Sequence, residues 1–159
     1  MAASCRLTSS GNPRLTRAAS ARNIAGLFVF GLPARLSCRP VNSRRDLQNG
    51  MSAEKKPWEI GKSFDHAAVL GPIHPATKTG HFTKGAISLA VNGTVRQDSN
   101  LDKMIWSVAE QIAKLSEAFE LKAGDIIYSG TPENVGPVVK GDVLLCKLEG
   151  LPDMSIRIV

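Results

Sequence analysis

The side chains best equipped for chemistry fall into no familiar motif. His66, His74 and His81 are eight and seven residues apart. Zinc-binding histidine pairs are set closer together, with about three to five residues between them. The spacing therefore reads as three solvated loop imidazoles. Cys5, Cys38 and Cys146 form no C-x-x-C pair and no even set, which argues against a disulfide scaffold or a zinc ribbon. No G-x-G-x-x-G, P-loop, H-E-x-x-H or G-x-S-x-G occurs, so neither a phosphate cradle nor a nucleophile elbow is encoded. Asn92-Gly93-Thr94 is formally a glycosylation sequon, but Asn-Gly between apolar alternations is the signature of a tight hairpin turn.

These residues depend on elements that the pattern makes legible. Ile87, Leu89 and Val91 alternate before Asn92-Gly93, and Val95 follows, which predicts two strands of a hairpin. Leu101, Met104, Ile105, Val108, Ile112, Leu115 and Phe119 make one apolar stripe at helical spacing. This predicts a long amphipathic helix over about 100–119, packed on the core, with Ser99 and Asp102 as its capping box. Ala67–Leu70, Ile126–Tyr128, Val143–Leu148 and Met154–Val159 read as strands, and His74–Lys84 as a loop.

Composition sets further limits. The chain has 159 residues and a net charge of +6. The first 45 residues carry eight Arg, no Lys and no acid, for +8; the remainder carries −2. Residues 1–42 therefore read as a basic, acid-free leader, expected to be disordered. It is either a mitochondrial transit peptide or sequence unrelated to the domain at 43–159. The folded part has dispersed lysines and few aromatics, which excludes a nucleic-acid binder. No apolar run approaches the roughly 18–20 residues of a membrane helix. The expected location is mitochondrial or cytoplasmic, not secreted.

Three ordered segments carry a resemblance. They are Ser43-Arg44-Arg45-Asp46-Leu47-Gln48, then Lys56-Pro57-Trp58-Glu59-Ile60-Gly61-Lys62-Ser63-Phe64-Asp65, and Gly124-Asp125-Ile126-Ile127-Tyr128-Ser129-Gly130-Thr131-Pro132-Glu133-Asn134-Val135-Gly136. Val91–Gln97 and Met104-Ile105 lie between the last two. Together, from about Ser43 to Val159, they resemble the C-terminal part of the fumarylacetoacetate hydrolase family, nearest its fumarylpyruvate and acylpyruvate hydrolases. The resemblance implies an α+β, mostly β fold, a partial mixed β-sandwich or roll. It implies a homodimer and a divalent cation, Mg²⁺ or else Mn²⁺ or Ca²⁺. The implied activity is cleavage of a carbon–carbon bond in a small β-diketo acid, releasing pyruvate. A decarboxylase acting on oxaloacetate, through the same kind of enolate, is the family alternative.

By position, Lys62 matches the family's active-site lysine, where an ammonium faces a developing oxyanion. Gln48 matches a glutamine that holds substrate, and Thr131 a threonine at the substrate's carboxylate end. Arg45 matches an arginine near the site, facing either a carboxylate or a structural acid. The metal ligands do not carry over. The family's Glu-x-Glu pair has no counterpart, because no acid precedes Asp46, and the family's aspartate position is Val41. A hard cation prefers oxygen ligands, so no metal ligand is assigned. The upstream His and Glu that activate water in the family are missing too. A truncated or misjoined, non-catalytic chain is therefore the rival expectation, with open sheet edges that favour association.

Overall fold

The computed structural model describes residues 22–31 and 35–159, with side chains from Asn42 onward. Among the described residues it is mostly strand with a few short helices. One sheet has the order β3 (His74–Pro75), β2 (Arg35–Arg44), β1 (Arg22–Gly31), β6 (Ile126–Tyr128), with β7 (Gly136–Val138) also paired to β1; the other has the order β5 (Thr94–Asn100), β4 (Ala86–Val91), β8 (Val143–Leu148), β9 (Met154–Arg157).

The first sheet is built on a long hairpin of β1 (Arg22–Gly31) and β2 (Arg35–Arg44). They pair antiparallel from Arg22↔Arg44 to Gly31↔Arg35. β3 (His74–Pro75) adds to β2. β6 (Ile126–Tyr128) and β7 (Gly136–Val138) both add to β1, at opposite ends. Strands thus occupy much of the stretch that charge alone set apart as a disordered leader. Ile24–Phe30 is rich in β-branched and aromatic residues, which suit a paired strand. Arginine content says nothing about strand propensity, and it hid this pattern.

The second sheet follows the sequence closely. β4 (Ala86–Val91) and β5 (Thr94–Asn100) form the expected hairpin. Asn92 and Gly93 both have positive φ, 50° and 81°, the pairing a two-residue primed turn needs. β8 (Val143–Leu148) and β9 (Met154–Arg157) complete it. Its inward residues Ile87, Leu89, Leu144, Cys146, Leu148 and Ile156 make most of the core, joined by Val69, Leu101, Val138 and Ile158. All strand pairings among the described residues are antiparallel.

The helices are α1 (Arg45–Ala53), α2 (Ala76–Thr79) and α3 (Val108–Ser116). The helix expected over about 100–119 is divided. Asn100 caps a 3-10 turn at Leu101–Lys103, and Met104 then turns extended with ψ 134°. α3 starts at Ser107, whose side chain and Glu110 make the reciprocal capping box. Leu101, Met104, Val108 and Ile112 face the core, but Ile105 is 97% and Phe119 62% exposed. The extended break at Met104 shifts the phase of the stripe, and that is the physical reason. Ala67–Leu70 is irregular apart from one bridge, though Ala67 and Val69 are buried. His74–Lys84, read as loop, holds β3 and α2. β6 is half-buried rather than enclosed.

Candidate functional site

The last residues of β2 feed directly into α1, and this join builds a corner. Asn42 is fully buried; its backbone N–H donates to Ala67 O at 2.7 Å and its Nδ2 to His66 O at 3.2 Å. Ser43, almost as buried, comes next. Arg45 opens α1 and Gln48 lies three residues on, so both occupy one helical face. A 3-10 turn at Glu59–Gly61 then packs on that face. Gly61 is what allows it: a Cβ there would lie 2.9 Å from Gln48 Cβ and 3.1 Å from Arg44 O. Any larger residue would lift the turn off the helix.

That close packing delivers Lys62. Its Nζ donates to Ser43 Oγ at 2.7 Å. Its ammonium is held below the ordinary lysine range, first by lost hydration and then by the neighbouring Arg45 guanidinium. Arg45 and Lys62 are thus near enough for their like charges to oppose one another. The guanidinium Nε of Arg45, Oε1 of Gln48 and Oδ1 of Asn42 are buried and make no hydrogen bond. Buried polar atoms are almost always paired, so three orphans at one corner mark a place built to receive something. Arg44, not Arg45, takes the nearby acid: Arg44 Nη2 lies 4.0 Å from Asp46 Oδ2. Beside the corner runs an open groove of about 680 Å³, lined by Lys55, Lys56, Trp58, Glu59 and Lys62 among others.

Thr131 is held from another direction. It lies in the loop between β6 and β7, one strand away from β2 across β1. Gln97 of β5, only 1% exposed, reaches into this loop. Its Nε2 donates to Pro132 O at 2.9 Å and Glu133 O at 2.7 Å, and lies 3.4 Å from Thr131 Oγ1. Sequence reasoning had assigned Gln97 no role. The signal was the register: Gln97 pairs with Leu89, which is 1% exposed, and an amide on that face must find partners. Ser43 was likewise missed as the partner of Lys62.

A divalent cation would meet neutral oxygens at this corner, the unpaired Asn42 Oδ1 and Gln48 Oε1, beside two side-chain cations. Ammonium and guanidinium groups repel a cation and offer it no lone pair. Among the described residues no group of three His, Cys, Asp or Glu could hold a metal ion.

Comparison with known proteins identifies the class. Residues 41–159 match the model of the fumarylacetoacetate hydrolase C-terminal region. The chain belongs to the fumarylacetoacetate hydrolase family. It is 43% identical over 131 residues to a fumarylpyruvate hydrolase of Ralstonia sp, a match covering 82% of this chain and 66% of that protein. To a mitochondrial oxaloacetate tautomerase of Homo sapiens it is 33% identical over 114 residues, covering 72% and 52%. The fold is shared with a fumarylpyruvate hydrolase of Pseudomonas aeruginosa solved with Mn²⁺ and pyruvate. The TM-score is 0.86 and the identity 36%, covering 93% of this chain and 70% of that one. The chain thus spans about half to two thirds of the length of these curated relatives. The Ralstonia match is longer than 43–159 alone, so the likeness reaches upstream into the basic stretch.

Proposed function

We propose that this chain holds small β-diketo acids of the acylpyruvate type by their pyruvate end and promotes their hydrolysis to pyruvate and a carboxylic acid. The observation that carries this reading is the cationic pair Arg45 and Lys62 on the face shared with Gln48, with buried polar atoms unpaired beside it. The likeness to fumarylpyruvate hydrolases supports the substrate class.

The chemistry follows from the charges. Water adds to the acyl carbonyl, the carbon–carbon bond breaks with its electron pair passing to the pyruvate fragment as an enolate, and the proton that water gives up ends on the enolate carbon, leaving pyruvate and the carboxylic acid. Lys62 stands where that negative charge develops and lowers its energy. Arg45 sets a fixed positive charge against the substrate carboxylate. Gln48 meets the keto oxygen through its amide, and Thr131 meets the carboxylate end from the loop that Gln97 fixes. Water is left to add without a general base from these four residues.

A second reading has its own observation. The fumarylpyruvate hydrolase of Pseudomonas aeruginosa was solved with Mn²⁺, and among the described residues here no group of three His, Cys, Asp or Glu could hold a metal ion. On that reading the chain binds the ligand without cleaving it. Decarboxylation or tautomerisation of oxaloacetate, named among relatives, would use the same enolate-holding corner. Pairing with a second copy, and a mitochondrial or cytoplasmic location, belong to the proposal as well. Among the described residues no helix is long and apolar enough to cross a membrane.

The deciding experiment follows the ultraviolet absorbance of an acylpyruvate enol with the purified chain. Pyruvate release that disappears in Lys62→Ala supports hydrolysis. Bound pyruvate without turnover supports the second reading. Absence of both sinks the assignment of the corner.

A further inference from the structure

We propose that Asn92 is a guarded deamidation site: its carboxamide clasps the β4–β5 turn to the start of β8, and its conversion to aspartate releases that clasp permanently.

Reactivity and restraint meet at this one side chain. Asn92 is followed by Gly93, and a residue without Cβ leaves its backbone nitrogen open to approach the carboxamide carbon before it. Both residues lie at the exposed tip of the hairpin, beyond the closing pair Val91↔Thr94. Yet the carboxamide is engaged at both ends. Its Nδ2 donates to Asp142 Oδ1 at 2.8 Å, and its Oδ1 accepts from the Val143 backbone N–H at 2.9 Å. The Asn92 backbone N–H donates to Val143 O at 2.8 Å. Asp142 is fixed in turn, because its Oδ2 accepts from the Val139 N–H at 2.8 Å. The carboxamide is thus held on β8, and attack waits on a local opening of the tip.

Once the tip opens, the Gly93 nitrogen attacks Asn92 Cγ. The N–Cγ bond forms, the Cγ–Nδ2 bond breaks, and Nδ2 leaves as ammonia with the proton that the Gly93 nitrogen gives up. Water then opens the cyclic imide. Addition at Cγ gives aspartate; addition at the backbone carbonyl gives isoaspartate, whose main chain runs through the side-chain carboxyl. Nothing is oxidised or reduced. Neither product restores the clasp. Aspartate has no donor for Asp142, so two carboxylates meet where an amide met one. Isoaspartate adds a carbon to a two-residue turn.

The test incubates the full chain in mildly alkaline buffer and follows the amide-to-acid mass change by peptide mapping. Rate should scale with opening, so Asp142→Ala should speed conversion at Asn92 about tenfold. Asn49-Gly50, in α1, reports global opening in the same digest and should change less than about twofold. Equal rates at Asn92 in the two chains, or equal acceleration at both sites, overturn the guard. A second arm uses Asn92→Asp, which makes the aspartate product directly. Its thermal midpoint should fall by about 3 °C. Adding Asp142→Asn exchanges amide and carboxylate across the clasp and should restore most of that loss. An Asn92→Asp chain as stable as the parent, or an exchange that restores nothing, overturns the clasp.

Discussion

The sheet of β4, β5, β8 and β9 and the corner where β2 runs into α1 handle polarity in opposite ways. In the sheet, Leu89, Leu144, Cys146, Leu148 and Ile156 are nearly or wholly buried, and the one buried amide, Gln97, has its donors matched to carbonyls. In the corner, Asn42, Arg45 and Gln48 each keep a buried polar atom unpaired. The first region has spent its interactions on folding. The second holds some in reserve, a common arrangement where a ligand completes the structure. Stability and binding should therefore respond to different substitutions.

The largest effect expected is in the sheet. Leu144, with no exposed surface, becomes a cavity in Leu144→Ala and should lower unfolding free energy by about 2–5 kcal/mol. Denaturant titration measures it. Pyruvate affinity should stay within about twofold wherever the chain remains folded. A large loss of affinity in the folded variant would break the separation between the two regions.

Gly61→Ala should do the reverse. The added Cβ, 2.9 Å from Gln48 Cβ, pushes the Lys62 turn away from α1 at a cost of about 1–3 kcal/mol. Binding should fall about tenfold or more, a larger proportional change than in any sheet variant that stays folded. Unchanged affinity would show that the turn's position is irrelevant to the ligand.

Gln97→Leu sharpens the comparison, because Gln97 belongs to the sheet but reaches the 131–133 loop. It leaves Pro132 O and Glu133 O without these donors, costing about 1–3 kcal/mol. If Thr131 meets the ligand, affinity falls along with stability, and Thr131→Val should reproduce the affinity loss alone.

Smaller still, Ser107→Ala removes the α3 cap for about 1 kcal/mol and should leave binding untouched.

The smallest effect expected is one of pH. Lys62 titrates below an ordinary lysine, so it loses its charge earlier as pH rises. Between that lowered value and the ordinary one near 10.5, the unfolded chain binds more protons than the folded one, and stability rises slightly with pH. Pyruvate affinity falls across the same interval, because the neutral amine no longer attracts the carboxylate. Calorimetry against pH distinguishes the two slopes. Lys62→Arg should flatten both.

Local patterns were the legible part of this molecule. Asn92-Gly93 announces its own turn, and the alternation in Val143–Leu148 announces its own faces. The helix was misplaced because two capping boxes compete. Ser99 with Asp102 and Ser107 with Glu110 both satisfy the spacing, and only the extended residue at Met104 decides between them. The basic stretch was misjudged because its charge was counted before its strand-forming residues. Arg45, Gln48 and Lys62 stand out in the sequence because they belong to contiguous motifs, and the packing of Gly61 on Gln48 sets the Lys62 turn against α1. Gln97 could not, since its partners lie 35 and 36 residues away and nothing local marks a glutamine that faces inward.

Gln97 also has a consequence for the loop of residues 131–133. Its amide ties residues 132 and 133 to β5, so the loop cannot shift without pulling on an edge strand that pairs only with β4 among the described residues and begins at the Asn92-Gly93 turn. Occupancy at Thr131 should be felt there as a change in opening rate. Amide hydrogen exchange along Thr94–Asn100 should slow when ligand is bound, and that response should vanish in Gln97→Leu. The outer strand of the second sheet would then act as a gauge, reporting from a distance whether the loop is filled.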